Sequence, residues 1–172
     1  MSGLEDLYRE IILDHYRSPR NRGELEIPPA HRAEGFNPLC GDEIVVYLEL
    51  DDPTLGDDAT VTAVKIGGQG CSISQASASM MSAAVKGRTL AEIDDLTRTF
   101  KAMMSIHESS LGGGDTDAGV ETEEEDAHEP TEIALGDLEA LRGVVRFPVR
   151  IKCATLSWNT LAQAVIDALG GS

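Results

Sequence analysis

The sequence contains few lysines, few aromatic side chains and no long apolar run. Of its 172 residues, 14 are Lys or Arg and 30 are Asp or Glu, which gives a formal net charge of −16. A chain with this charge repels phosphate backbones, so we expect no nucleic-acid partner. No apolar stretch approaches the roughly 18–20 residues that span a bilayer. We therefore also expect no membrane partner.

Cysteine is scarce as well, and no two cysteines are close in sequence. The three cysteines are Cys40, Cys71 and Cys153. The absence of a CxxC pair excludes zinc-ribbon and thioredoxin-like motifs. The first ten residues carry acids and lack the apolar region of a signal peptide, which predicts a cytoplasmic location. There, an odd number of cysteines favours metal binding or thiol chemistry over disulfides.

The composition is otherwise that of one globular domain. Apolar residues make up 41% of the chain, and we interpret residues 1–172 as a single domain with a modest core. Hydrophobic periodicity predicts helices at residues 4–16, 72–86, about 90–104 and 154–169. It also predicts a β-hairpin formed by residues 43–50 and 59–66. Residues 21–38, which are rich in Pro and Gly, are interpreted as an irregular arm.

Shorter features lie between these elements. The sequence GGQG at residues 67–70 predicts a tight passage from strand to helix, where side chains would clash. Thr89 and Glu92 have the spacing of a capping box. From about residue 108 to 133 the chain is acidic and poor in apolar groups, which predicts a flexible insert rather than a domain boundary. A short helix is expected at residues 135–141.

Each cysteine is predicted to lie where one element gives way to the next, with Cys71 and Cys153 at helix starts. Helix N-termini favour a thiolate over a thiol. Asp42, two residues from Cys40, would face the same side of an extended segment. Three thiolates and a carboxylate would suit tetrahedral Zn²⁺. The alternative is three inert cysteines in the core, where this residue is common.

Three further polar residues have competing interpretations. Arg150 and Lys152 flank the last cysteine, and a nearby cation would favour a thiolate or steer an anionic partner. An ordinary exposed pair is the alternative. His15 lies on the apolar side of the first helix and is interpreted as a packed group rather than a metal ligand.

Three cysteine contexts in this order resemble those of the SufU-type proteins in the U-type iron–sulfur assembly family. They are NPLCGDEI at residues 37–44, GGQGCSISQASASMMSAAVKG at 67–87 and FPVRIKCATLSWNTL at 147–161. The opening LYREIILDHYRSPRNRG at residues 7–23 is also similar to that family. The resemblance covers almost the whole chain except the acidic insert.

The resemblance implies a fold, a metal site and an activity. The fold is α+β, with a small, mostly antiparallel three-stranded sheet packed against several helices. The implied Zn²⁺ ligands are Cys40, Asp42, Cys71 and Cys153. The implied partner is a SufS-type cysteine desulfurase, which gives persulfide sulfur to Cys40 once a desulfurase histidine replaces that cysteine on the metal. Arg150 is an auxiliary residue that would stabilise the released thiolate or contact the partner.

The resemblance leaves two functions to compare. A SufU-type protein is a sulfurtransferase that acts as co-substrate and activator of the desulfurase, with a SufBCD-type scaffold complex downstream. An IscU-type protein is a scaffold on which a [2Fe–2S] cluster is assembled. IscU-type proteins usually carry His before the third cysteine, where this chain has Lys152. That residue and the LGDLEAL run at residues 135–141 favour the SufU type.

Overall fold

The computed structural model describes residues 2–112 and 135–170, and in this part of the chain helices pack against one antiparallel sheet. The predicted α+β fold with three strands is therefore confirmed. The helices are α1 (Ser2–Arg17), α2 (Ser72–Val85), α3 (Leu90–Gly112) and α4 (Pro148–Ala168). The strands are β1 (His31–Asn37), β2 (Asp42–Leu50) and β3 (Val61–Gln69), with 3₁₀ turns at Pro53–Asp58 and Gly136–Arg146. Within the described ranges, no helix has both the length and the apolar character to cross a bilayer.

Strand β1 lies inside the segment that was expected to be irregular. Only Ala33 and Asn37 of this strand are buried, so its sequence (HRAEGFN) lacks the apolar alternation that identifies a strand. Its structure comes from pairing with β2 along the whole length, from His31 opposite Leu48 to Asn37 opposite Asp42. The expectation of an irregular arm is wrong here, because tertiary pairing overrides a weak local pattern.

The core lies between the sheet and the helices. Strand β2 is central, and its side chains Ile44, Val46 and Leu48 are fully buried. From the other side, Trp158 of α4 stacks on Phe100 of α3 with ring centroids 4.8 Å apart. A buried aromatic pair of this kind contributes about 0.5–1.5 kcal/mol beyond the area it buries. The stacked pair thus fixes α4 relative to α3.

Helix α2 is buried on nearly all sides because its residues are small. Ser77 donates to the Ala154 carbonyl at 2.6 Å and accepts from the Trp158 indole at 3.3 Å. Ser79 contacts the ring of His15 in α1, with Oγ and Nδ1 2.7 Å apart. His15 is 2% exposed, so the interpretation of this histidine as a packed group is confirmed.

Helix boundaries follow local signals in some places and not in others. The capping box is present, since the Thr89 amide donates to Glu92 at 3.0 Å and the Glu92 amide donates to Thr89 at 3.2 Å. Helix α3 continues to Gly112, beyond the predicted end at residue 104. The insert predicted at about 108–133 therefore starts within this helix, and its remainder from residue 113 lies outside the described residues.

The predicted steric role of the glycine segment is clearest at Gly68. This residue has φ +105° and lies in β3 opposite Ile44. A Cβ at this position would overlap the carbonyl oxygen of Glu43 in β2. Gly67, one residue earlier, has room for a Cβ, whose nearest neighbour would be Val45 at 3.8 Å. A methyl group at Gly68 should therefore destabilise the fold more than a methyl group at Gly67.

Gly68→Ala is expected to lower the free energy of unfolding by about 2–4 kcal/mol, through the clash and the positive φ. Gly67→Ala is the matched control and should cost less than about 1 kcal/mol. Urea unfolding in the presence of a chelator, followed by the fluorescence of Trp158, measures both. Equal losses for the two variants would contradict the close approach of β2 and β3.

Candidate metal centre

The turn between β1 and β2 carries the first cysteine. Asn37 and Asp42 face each other as the last pair of the two strands, so the connection is a turn of only four residues. Cys40 lies in this turn, and its amide donates to the Asn37 carbonyl at 3.2 Å. Gly41 follows with φ +68°, a conformation that glycine adopts without strain. The half-buried Cys40 and the buried Asp42 are thus held at one end of the sheet.

The second cysteine reaches the same end through β3. Cys71 is the N-cap of α2, and its sulfur accepts from the Ser74 amide at 3.4 Å. Its own amide donates to Asp42 Oδ1 at 2.9 Å. A Cβ on Gly70 would lie 2.5 Å from that same Oδ1. The glycine before Cys71 therefore allows the backbone to approach the carboxylate, and the predicted tight passage from strand to helix is present at this residue.

The third cysteine comes from α4 but does not open it. The helix begins at Pro148, since proline suits the first helical position, and Cys153 lies in the second turn. The prediction that Cys153 opens the last helix is wrong, and the N-terminal dipole does not explain its chemistry. Packing of α4 on the sheet instead brings the fully buried Cys153 sulfur to 3.1 Å from the Cys40 sulfur.

The donor atoms of Cys40, Asp42 and Cys153 all lie within 4.8 Å of one another. Zn–S bonds of about 2.3 Å place two sulfurs about 3.8 Å apart on a tetrahedron. The observed separation of 3.1 Å needs only a small adjustment to fit such an ion. The Cys71 sulfur is not one of these clustered atoms, although it contributes to the pKa shifts of Asp42 and Cys153. Two thiols and a carboxylate are a suitable donor set for Zn²⁺.

The electrostatics of the cluster reflect this crowding of acidic groups. Burial raises the pKa of the Cys153 thiol, and contacts with Cys40, Asp42 and Cys71 raise it further. Burial also acts to raise the pKa of Asp42, but the Cys71 amide, the Cys153 thiol and the Asn37 side chain outweigh it, and the net pKa is lowered. The surroundings therefore favour the charged form of Asp42 and oppose the charged form of Cys153.

Asn37 is a site residue that the sequence analysis did not identify. It is 6% exposed, and its Nδ2 donates to Asp42 Oδ2 at 3.2 Å and to the Cys153 sulfur at 3.5 Å. One amide group therefore orients two of the clustered donors. The signal in the sequence was an asparagine three residues before Cys40, at the end of a segment that did not look like a strand.

Arg150 lies beside the cysteines, one turn before Cys153 on α4. The negative charge of Cys71 raises the pKa of its guanidinium; partial burial opposes this shift, and a hydrogen bond with Cys153 adds to it. Arg150 and Lys152 both have exposed side chains. Of the two cations that flank the last cysteine, only Arg150 interacts with the cluster in the described structure.

Comparison with known proteins places this arrangement in a family. The model of the NifU-like N-terminal domain matches residues 7–129. This chain belongs to the NifU-like N-terminal domain family. The match includes Cys40, Asp42 and Cys71, and the third cysteine lies beyond it.

Full-length relatives of this NifU-like chain include the zinc-dependent sulfurtransferase SufU of Bacillus subtilis strain 168. That protein is 39% identical over 99% of this chain and 97% of its own length. The iron–sulfur cluster assembly scaffold protein IscU of Streptococcus pyogenes serotype M1 is 33% identical over 96% of this chain and 86% of its own. A crystal structure from Fervidobacterium islandicum AW-1, described as a scaffold protein for the SUF system of iron–sulfur cluster assembly, has a TM-score of 0.67. It is 31% identical and covers 91% of this chain and 94% of its own.

Asn37→Ala is expected to lower the free energy of unfolding of the metal-free protein by about 1–3 kcal/mol, because it removes two hydrogen bonds from buried acceptors. The control is Asn159→Ala on α4, where an exposed asparagine accepts one hydrogen bond from Lys101 at 2.6 Å. That variant should change stability by less than about 0.5 kcal/mol. Urea unfolding with a chelator present measures both losses of unfolding free energy. Equal losses for the two variants would contradict the stabilising role of the Asn37 hydrogen bonds.

Proposed function

We propose that this NifU-like chain is a zinc-bound sulfur acceptor that takes persulfide sulfur from a cysteine desulfurase for iron–sulfur cluster assembly. The observation that carries the proposal is the approach of the donor atoms of Cys40, Asp42 and Cys153 to within 4.8 Å of one another. Cys153 is 113 residues from Cys40 in sequence, and its proximity to Cys40 and Asp42 crowds acidic groups that repel each other as anions. A divalent cation removes that repulsion.

The proposed ligand set is Cys40, Asp42, Cys71 and Cys153. Cys71 is proposed as the fourth ligand because its backbone amide donates a hydrogen bond to the Asp42 carboxylate at 2.9 Å. This hydrogen bond keeps the residue next to the other donors. Bound Zn²⁺ would supply positive charge that keeps the three sulfurs deprotonated near neutral pH. Asn37 would keep Asp42 oriented throughout, through its bond to Oδ2 at 3.2 Å.

Cys40 is the proposed acceptor because a turn constrains it less than a helix constrains Cys153. It is half-buried in a four-residue turn, whereas Cys153 is fully buried within a helix. The Cys40 thiolate attacks the terminal sulfur of the donor's persulfide. A new sulfur–sulfur bond forms on Cys40, the bond between that sulfur and the donor cysteine breaks, and the donor cysteine leaves as a thiolate. Oxidation state and charge are both conserved in this exchange.

Arg150 has a proposed auxiliary role in this transfer. Its guanidinium interacts with Cys71 and Cys153, so it would supply positive charge beside a Cys40 thiolate that is not bound to a metal. The same charge would stabilise the released thiolate or meet an anionic group of the partner.

The proposed partner is a SufS-type desulfurase, with a SufBCD-type complex as the later recipient of sulfur. Support comes from the 39% identity to a relative named as a zinc-dependent sulfurtransferase. In this scheme the chain is a co-substrate and activator of the desulfurase rather than an independent enzyme. A cytoplasmic location remains the prediction made from the sequence.

A second candidate function is the assembly of a [2Fe–2S] cluster on the same residues. The observation that favours it is the similarity, at 33% identity, to a protein named as an IscU scaffold. Against it is the residue before Cys153. Lys152 is exposed and, being cationic at neutral pH, is a poor ligand for a metal or cluster.

Cys40→Ala is expected to abolish stimulation of the desulfurase and to prevent the gain of one sulfur atom in the mass spectrum of this chain. Zinc should be retained with weaker affinity by the other three ligands. Cys153→Ala, which removes the buried sulfur of the same cluster, should lose both the stimulation and most of the zinc. Metal analysis, mass spectrometry and a sulfide-release assay measure these effects. Full stimulation by Cys40→Ala would overturn the acceptor assignment.

Anaerobic reconstitution with iron and sulfide separates the two candidate functions. For a sulfur acceptor we expect bound zinc that iron does not displace, and no stable visible absorption from a cluster. The Lys152→His variant is the informative comparison, because it introduces the imidazole that IscU-type proteins usually carry at this position. A stable cluster on the wild-type chain that transfers to an apo-ferredoxin would favour the scaffold.

A further inference from the structure

A groove of about 1150 Å³ runs beside the cysteine cluster. Its walls are α1, the first residues of α2, the Gly136–Arg146 turns and the start of α4. Cys71 and Arg150 line it, whereas Cys40 and Asp42 do not. The groove therefore meets the candidate metal centre from the side of α2, away from the proposed acceptor sulfur.

The charge of the groove is opposite to that of the chain. Among the described residues that line it are Arg9, Arg142, Arg146 and Arg150, and none is Asp or Glu. The chain carries 30 acids and a net charge of −16. Arginines from two helices and the 3₁₀ turns are thus gathered on one surface of an otherwise acidic protein. Such a local positive potential attracts an acidic partner.

The groove is also apolar. Ile12 and Ile73 are half-buried and pack against the core. Two large apolar side chains at its edge are mostly exposed, Phe147 by 59% and Val149 by 52%. Exposed apolar side chains beside a concave surface mark an interaction site. The volume exceeds that of most pockets for small molecules, which favours a segment of a protein as the occupant.

We propose that this groove is the docking surface for the sulfur donor, and that the donor presents to it a segment with acidic side chains and an apolar face. The inference rests on the proposed function and adds to it a binding surface that is separate from the cysteine cluster. Docking in the groove positions the donor beside Cys71 and Arg150, while Cys40 at the hairpin turn remains available for the transfer. The groove then determines affinity, and the cysteine cluster determines chemistry.

Charge reversal at two groove arginines tests the proposal in the zinc-loaded, full-length protein. Arg9→Glu and Arg142→Glu lie on exposed positions of α1 and the 3₁₀ turns. Each should raise the concentration needed for half-maximal activation of the desulfurase by about tenfold. Maximal activation and zinc content should not change, because neither residue contacts the cluster. A variant that had merely lost its fold would lose zinc and maximal activation as well.

Arg98→Glu on α3 is the matched control, since it makes the same charge change at an exposed helical arginine that does not line the groove. Its half-maximal concentration should equal that of the wild type. Phe147→Ser tests the apolar component and should raise the half-maximal concentration with unchanged zinc. Added salt should weaken wild-type activation more than that of Arg9→Glu, because screening removes an attraction that the variant lacks.

Unchanged half-maximal concentrations for both groove variants would overturn the docking surface while leaving the sulfur-acceptor function intact. A wild-type chain that neither binds nor activates the desulfurase would overturn both. Two further measurements address other occupants. The first is cosedimentation with phosphatidylglycerol vesicles, and the second is self-association in analytical sedimentation. If Arg9→Glu abolished either one while desulfurase activation was unaffected, the groove would be assigned to a membrane or to a second copy of the chain, respectively. Either result would reject the proposal.

Discussion

The mutual repulsion of acidic groups held at one end of the sheet is the constraint on which the rest of the structure depends. Donor atoms of Cys40, Asp42 and Cys153 lie within 4.8 Å of one another. Cys71 is joined to them by the hydrogen bond from its backbone amide to Asp42. Without a metal ion, burial and the neighbouring acidic groups favour the protonated form of Cys153, whose pKa is raised. With a divalent cation, each donor can be an anion. The fold thus supplies the geometry of a metal site and leaves the compensating charge to the ion.

Holding those groups together requires that three separate parts of the fold meet at one place. The four-residue turn between β1 and β2 fixes Cys40 next to Asp42, and the pairing of Glu43 with Gln69 brings the end of β3 alongside. Helix α4 is fixed by Trp158, which stacks on Phe100 and donates to Ser77 of α2. The cluster is therefore attached to the core at three points. Cys40 is half-buried in the turn, where a change of position costs less than it does within a helix.

The sequence allowed prediction wherever a local signal coincided with a structural need. The central hairpin follows from β-branched alternation, the start of α3 from the Thr89–Glu92 capping box, and the tight passage into α2 from the glycines before Cys71. Strand β1 could not be predicted, because its order comes from pairing with β2 rather than from its own side chains. The position of Cys153 within α4 depended on where the helix starts, which Pro148 decides. Asn37 acquires its role only when the turn folds it over Asp42 and Cys153.

A buried hydrogen-bond network holds the walls of the groove in place. The His15 ring of α1 lies 2.7 Å from Ser79 Oγ of α2 and 2.8 Å from Asp137 Oδ2 of the 3₁₀ turns. The Arg20 amide already donates to Ser79 Oγ at 2.8 Å, so the serine hydroxyl is free to donate to Nδ1. Both ring nitrogens of His15 therefore have a hydrogen-bond partner on another element. Because three walls of the groove are joined in this way before any partner arrives, the ordering cost of docking falls mainly on the partner.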